Sequence, residues 1–423
     1  MPAPSAALGE ALPLLQTPVP GPNSRALAAR LALVESRNIT KLKPEPPIFW
    51  AEARGANVRD VDGNVFLDLT AGFSVAIAGH ANPHVTNAIA RQSTQLAHGL
   101  GDVHPAQVKV ELLEKLATIS PGTLSISILG SAGAEAVEAA LKTAVLRTGR
   151  RGVIAFDGSY HGLTYGALSV TARSEFREPF QSQLNAQVRF ATFPTDDQML
   201  DSSLRNLDAM LDDTIGAIIV EPIQGRGGLR VPPVGLLPSL RERCDGRKRI
   251  LIFDEIYTGM GRTGRWFACE HTAVIPDILV IGKGLTGTLP LSAAIGTPEV
   301  MSAWPESTGE AIHTSTFLGN PIACAAALAQ IDEIESKRLL SRASAIGHAI
   351  RDRLPTRCLG ALQGLPMPDG QSAVGMCDAL LHAGIIALPE GPKSEVLAIT
   401  PPLVISDRQL SYSLEAIAGL LVT

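Results

Sequence analysis

PDILVIGKGLTGTLPLSAAIG, residues 276–296, decides the fold. Its two apolar runs, ILVIG and SAAIG, show no alternation of inward and outward side chains, so each reads as a strand covered on both faces. Five earlier runs have the same character: SISIL at 125–129, GVIAF at 152–156, VRFAT at 188–192, GAIIVE at 216–221 and RILIFD at 249–254. Helical patterns lie between them. Alternating strands and helices predict an α/β fold whose large domain holds a seven-stranded, mostly parallel sheet, with ligands gathered at the carboxyl ends of the strands.

Outside this body, residues 1–22 are rich in Pro and Ala and read as an irregular arm. SRALAARLALVES reads as a helix opened by Ser24, and Asp62-Gly63 as the hairpin turn between two strands. Past Ala325 come two helical patterns, a Gly/Pro-rich stretch and the strand-like EVLAITPPLVI. The expected division is therefore an arm at 1–22, part of a small α+β domain at 23–70, the large ligand-binding domain at 71–324, and the rest of the small domain at 325–423. No internal repeat is visible.

Composition narrows the function. The chain has 423 residues, 45% of them hydrophobic, which is enough for a large core. A formal net charge of -5 leaves no electrostatic footprint for nucleic acid or an anionic membrane, and a small-molecule partner fits better. The five cysteines never form CxxC, which reads as reduced thiols in a cytoplasmic setting. The N-terminus lacks a basic export signal, and no apolar stretch reaches membrane-spanning length.

Three strand ends carry candidate chemistry. In GSAGAEAVEAALK a strand gives way to a helix whose entry at Gly133 and Ala134 leaves backbone N–H groups open, as a phosphate seat requires; close packing on the sheet would use the same small residues. RILIFDEIYTGMGRTG delivers Asp254 and Glu255. No His or Cys stands at metal-ligand spacing, so no metal is expected. A buried carboxylate facing a ring nitrogen would keep that nitrogen protonated, whereas the plainer alternative is that Asp254 caps the next turn. Lys283, between two glycines at a buried strand end, would lose hydration and become an amine nucleophile, unless its ammonium snorkels to solvent. A phosphate seat, an acid for a ring nitrogen and an amine for an aldehyde are together the demands of pyridoxal 5'-phosphate.

From about residue 20 to 415 the chain resembles the class III aminotransferases of pyridoxal-phosphate fold type I, the group of the 4-aminobutyrate and ornithine aminotransferases. The resemblance is carried by VDGNVFLDLTAG, GAEAVEAALK, FDGSYHG, VEPIQGRGG, FDEIYTGMGRTG, GKGLTGTLPLSA, HTSTFLGNPIACAAALA and TPPLVI, in the family's order, and by the spacing of 29 positions from Asp254 to Lys283. It implies that Lys283 is the Schiff-base lysine and Asp254 the partner of the ring nitrogen. Gly133 and Ala134 would hold the phosphate, Tyr160 and Ile256 would cover the two ring faces, and Thr316 would reach the phosphate of a second subunit in a homodimer. Ordinary packing beneath the loop is the alternative for Tyr160 and the expectation for His161. Glu221 could simply bond backbone.

The implied reaction moves an amino group from a small amine or amino acid to a keto acid, with ping-pong kinetics. An amino-acid racemase or epimerase is the runner-up, and a decarboxylase comes third. Departures from the pattern fall on the substrate side, where the candidates are Phe73, Leu163, Arg226 and Ala398. Leu163 in YHGLT and Ala398 before TPPL stand where carboxylate-binding arginines are expected. Arg226 in EPIQGRGG replaces a glutamate; it would face the substrate and take over carboxylate recognition, unless it simply faces solvent. Tyr257 stands where Gln is frequent and could bond the cofactor's phenolic oxygen or fill space.

Overall fold

The computed structural model describes residues 8–422; Met1 to Ala7 of the expected arm lie outside the described residues. The N-terminal part contributes β1 (Trp50–Arg54), β2 (Asn57–Asp60) and β3 (Val65–Asp68). The central sheet is made of β4 (Ile126–Gly130), β5 (Gly152–Phe156), β6 (Val188–Ala191), β7 (Ile215–Val220), β8 (Ile250–Asp254), β9 (Ile278–Ile281) and β10 (Ser292–Gly296). The C-terminal part adds β11 (Gln363–Pro366), β12 (Ile385–Ile386), β13 (Leu388–Glu390) and β14 (Val396–Ile399).

All seven predicted runs join one sheet, in the order β4-β10-β9-β8-β7-β5-β6. The pairs from β9 to β6 are parallel, and β10 runs antiparallel to both β4 and β9. The continuous apolar runs have the predicted cause. Alternate residues of the inner strands enter two separate cores: Ile218, Val220, Leu251, Phe253, Leu279 and Ile281 in one, and Ala217, Ile219, Ile250, Ile252, Ile278 and Val280 in the other. The second core is closed by the Ala-rich face of helix Gly133–Thr148, where Ala136, Val137, Ala139, Ala140 and Ala144 are buried.

Two smaller sheets flank this body. Asp62-Gly63 does turn β2 antiparallel onto β3, and β12 pairs parallel to β3, so the N-terminal and C-terminal parts share one sheet, β1-β2-β3-β12. The other is β11-β14-β13. The first helix departs from expectation. It runs Pro22–Leu31, with proline in its first turn, and Ser24 is not its cap: the Ser24 hydroxyl donates to Asp62 Oδ2 at 2.7 Å and is buried. EVLAITPPLVI forms a strand only over Val396–Ile399, because the two prolines end the pairing. The Gly/Pro-rich stretch before it conceals helix Gly370–His382, opened by the Asp369 carboxylate accepting the N–H of Ser372 at 2.7 Å.

Candidate active site

Glu221, Asp254 and Lys283 follow or end the adjacent strands β7, β8 and β9, where Asp254 stands in register with Val280. They come together because parallel strands present all their carboxyl ends on one edge of the sheet. Two further contributors come from beyond these strands. Helix Gly133–Thr148 starts three residues after β4, and Tyr160 and His161 lie in the loop after β5.

Lys283 sits beyond Gly282 with a positive φ of 36°, a left-handed conformation that only surrounding packing sustains in a residue with a Cβ. Its Nζ lies 4.6 Å from the centre of the Tyr257 ring. Burial pushes its pKa below the usual lysine value, Arg226 adds to that, and Asp254, Glu221 and Glu390 oppose it. The amine is therefore neutral over a wider range of pH than a solvated lysine, as a nucleophile and base needs.

Asp254 is 3% exposed. One carboxylate oxygen accepts the N–H of Ile256 at 3.0 Å, and the other lies 2.7 Å from Nδ1 of His161. His161 is held in turn: its backbone N–H donates to Thr171 Oγ1 at 2.9 Å, and Thr171 donates to the carbonyl of Gly162. A ring expected only to pack thus touches the carboxylate directly. Its Nε2 is buried and has no protein partner. Ninety-three residues separate the pair, and no local pattern announces it.

Glu255 belongs to the scaffold. Its carboxylate accepts the N–H groups of Ala268 at 2.6 Å and Cys269 at 2.8 Å and the hydroxyl of Thr258 at 2.8 Å, tying down the glycine-rich turn after β8. Glu221 is different. It is buried, and its Oε2 has no hydrogen-bond partner. Burial and the nearby Asp254 carboxylate push its pKa well above the ordinary value, with Lys283 opposing.

Helix Gly133–Thr148 opens on Ala132 without a side-chain cap. Glu135 turns back to accept the N–H of Ser131 at 2.7 Å, and Ser292 donates to the carbonyl of Ala132 at 2.7 Å, so this entry is fixed from two sides. A Cβ at Gly133 would come 2.7 Å from Ile256 Cδ1. A side chain there would require the end of Ile256 to shift. Thr316 is exposed, and lines a small pocket with His98 and Phe317.

On the substrate side, Phe73 and Leu163 are each 53% exposed, and Phe73 has a positive φ of 60°. Ala398 is buried in β14 within an apolar cluster that includes Tyr257 and Val396. Arg226 lies with its guanidinium carbon 5.0 Å from the centre of the Tyr160 ring, and its Nε is 3.3 Å from Glu390 Oε2. Sequence reasoning missed Glu390. It ends β13, 164 positions from Arg226, in no motif.

The model of the aminotransferase class-III family matches residues 39–421. The chain belongs to the class III aminotransferases. It is 36% identical to the 4-aminobutyrate aminotransferase of Mycobacterium tuberculosis, with 96% of this chain and 97% of that one covered. It is also 36% identical to the acetylornithine aminotransferase of Methanopyrus kandleri, covering 89% and 94%. Among solved structures, the pyridoxal-phosphate-bound amine transaminase of an uncultivated Pseudomonas species superposes with a TM-score of 0.83 at 28% identity, over 90% of this chain and 97% of that one. The chain is therefore a pyridoxal-phosphate-dependent aminotransferase, transferring an amino group from an amine or amino acid to a keto acid. The racemase and decarboxylase readings find no support among these relatives.

The residues present fit the cofactor. A buried lysine whose pKa is lowered, a buried carboxylate in contact with a histidine, and an uncapped helix entry are groups of the kind that would hold pyridoxal phosphate.

Proposed function

We propose that Lys283 is the amine that condenses with the cofactor's aldehyde and that, once displaced by the substrate's amine, it carries the Cα proton. The observation that supports this most is the placement of Lys283 and Asp254 at the ends of neighbouring parallel strands. Pyridoxal phosphate supplies the electron sink for the substrate's Cα electron pair. Asp254 keeps the ring nitrogen protonated, because its buried negative charge favours a cation beside it. His161 orients Asp254. The free N–H groups of Gly133 and Ala134 take the phosphate, and Tyr160 and Ile256 enclose the ring from either side.

The functional unit in this reading is a homodimer with shared sites, in which Thr316 serves the phosphate of the other subunit. The exposed apolar side chains near it, Leu100, Val103, Ile312 and Phe317, support a covered face. Cytoplasmic placement is supported by the five free cysteines. No helix among the described residues is long and apolar enough to cross a membrane. In this reading the large domain runs between residues 70 and 324, the latter inside helix Pro321–Ser336, with the two smaller sheets as the small domain.

Arg226 is the substrate's carboxylate receptor, with Phe73 and Leu163 at the mouth of the pocket and Ala398 beneath it. The guanidinium over the Tyr160 ring supports this reading, because Leu163 and Ala398 offer no cation. Arg226→Ala should raise KM roughly 10- to 100-fold for amino acids and keto acids, the loss expected for a charge-assisted hydrogen bond, and much less for plain amines. Steady-state kinetics with both donor classes measures it. An equal loss for both would remove Arg226 from carboxylate recognition.

A further inference from the structure

Beside Arg226 lies a carboxylate that the transfer chemistry does not use. Glu390 is 4% exposed, and its only ion pair among the described residues is with Arg226. The contact is loose: at 3.3 Å it is an ion pair, but the Arg226 Nε–H has no hydrogen-bond acceptor. Glu390 therefore opposes the charge of Arg226 without consuming its hydrogen bonds.

The backbones of the two residues are tied together. One nitrogen of Arg173 donates to the carbonyl of Arg226 at 2.9 Å and to that of Gly391, next to Glu390, at 3.2 Å. The Arg173 guanidinium also stands 5.6 Å from the centre of the Phe176 ring, which packs edge-on against Tyr160. One guanidinium thus fixes the separation between the loop carrying Arg226 and the strand carrying Glu390.

We infer that Glu390 is a specificity-determining residue, a built-in counter-ion that weakens Arg226 as a carboxylate receptor and so sets the balance between carboxylated and plain-amine substrates. This rests on the reading of Arg226 above. A carboxylate arriving at Arg226 meets a second negative charge close by in a poorly solvated site, where like charges repel far more than in water. A plain amine meets no such penalty. In a ping-pong reaction both kinds of substrate can use one site in turn, and a receptor with a partly offset charge serves both. Burial raises the pKa of Glu390 above the ordinary carboxylate value, with Arg226, Lys283 and Arg173 opposing.

The test uses the holoenzyme and propionate, an unreactive carboxylate, with binding read by calorimetry. Glu390→Gln keeps the side chain's size while removing its charge. The propionate Kd should fall roughly tenfold, and the ratio of kcat/KM for carboxylated over plain-amine donors should rise by a similar factor. In an Arg226→Ala background, where no cation seats the carboxylate beside Glu390, the same Glu390→Gln change should move neither quantity by more than about twofold. Glu390→Ala is the second variant, with the same direction expected, and melting curves check that each variant is folded. An unchanged or weaker propionate Kd in folded Glu390→Gln, or an equal effect with Arg226 removed, overturns the inference. If Arg226→Ala alone leaves propionate binding intact, the reading of Arg226 itself fails, which is a different result.

Discussion

Replacing Lys283 by alanine is expected to lower turnover by at least about 10³-fold while leaving the protein folded. A positioned acid or base alone contributes about 10²–10⁴ in rate, and here the same side chain also supplies the nucleophile, so the loss falls in the upper part of that range. It corresponds to about 4 kcal/mol or more of barrier. Stability should not suffer in proportion. Burial lowers the pKa of Lys283, which means that its charged form is disfavoured where it sits, and alanine removes that cost. The positive φ is no worse for alanine than for lysine. Single-turnover kinetics together with a melting curve separate the two effects: lost turnover with an unchanged Tm supports a chemical role, and a collapsed Tm would point to scaffolding.

Asp254→Asn should reduce turnover by about 10²–10⁴-fold, about 2.7–5.4 kcal/mol, with the cofactor still bound. The amide keeps the shape of the carboxylate and can still meet Nδ1 of His161, but it carries no charge to hold a proton on the ring nitrogen. The phosphate seat at Gly133 and the amine of Lys283 are untouched, so cofactor content should change little. Stopped-flow measurement of the half-reaction with a good donor, together with cofactor content from absorbance, tests both parts. Turnover within a few fold of the parent would take Asp254 out of its role.

The inner strands of the sheet were legible because burial on both faces leaves a one-dimensional trace: a run of apolar residues with no alternation. Lys283 and Asp254 stood out because charged residues at the ends of such runs are costly unless used. Pairing between distant strands leaves no such trace. Nothing local in SAAIG says that it inserts antiparallel between β4 and β9, and nothing near residue 385 says that Ile385 and Ile386 will extend the N-terminal sheet.

The site was legible where it follows a strand and obscure where it depends on contacts across the fold. His161, in the loop after β5, acquires meaning only through a 2.7 Å contact with a carboxylate at the end of β8, and Glu390 only through Arg226. Helix Gly370–His382 did leave a signal, Asp369 with Ser372 at the spacing of a capping interaction, which the surrounding glycines and prolines obscured. The misplaced start of the first helix has a similar origin. Ser24 resembles a cap in sequence, but Asp62 of the hairpin takes its hydroxyl, and Pro22 already supplies the helical φ two residues earlier.

The central claim is that Lys283 carries the cofactor. Borohydride reduction of the holoenzyme, followed by digestion and mass mapping, tests it most directly. The account predicts a single pyridoxyl adduct on the peptide containing Lys283 and none in Lys283→Ala; an adduct on any other lysine of the native protein would contradict it.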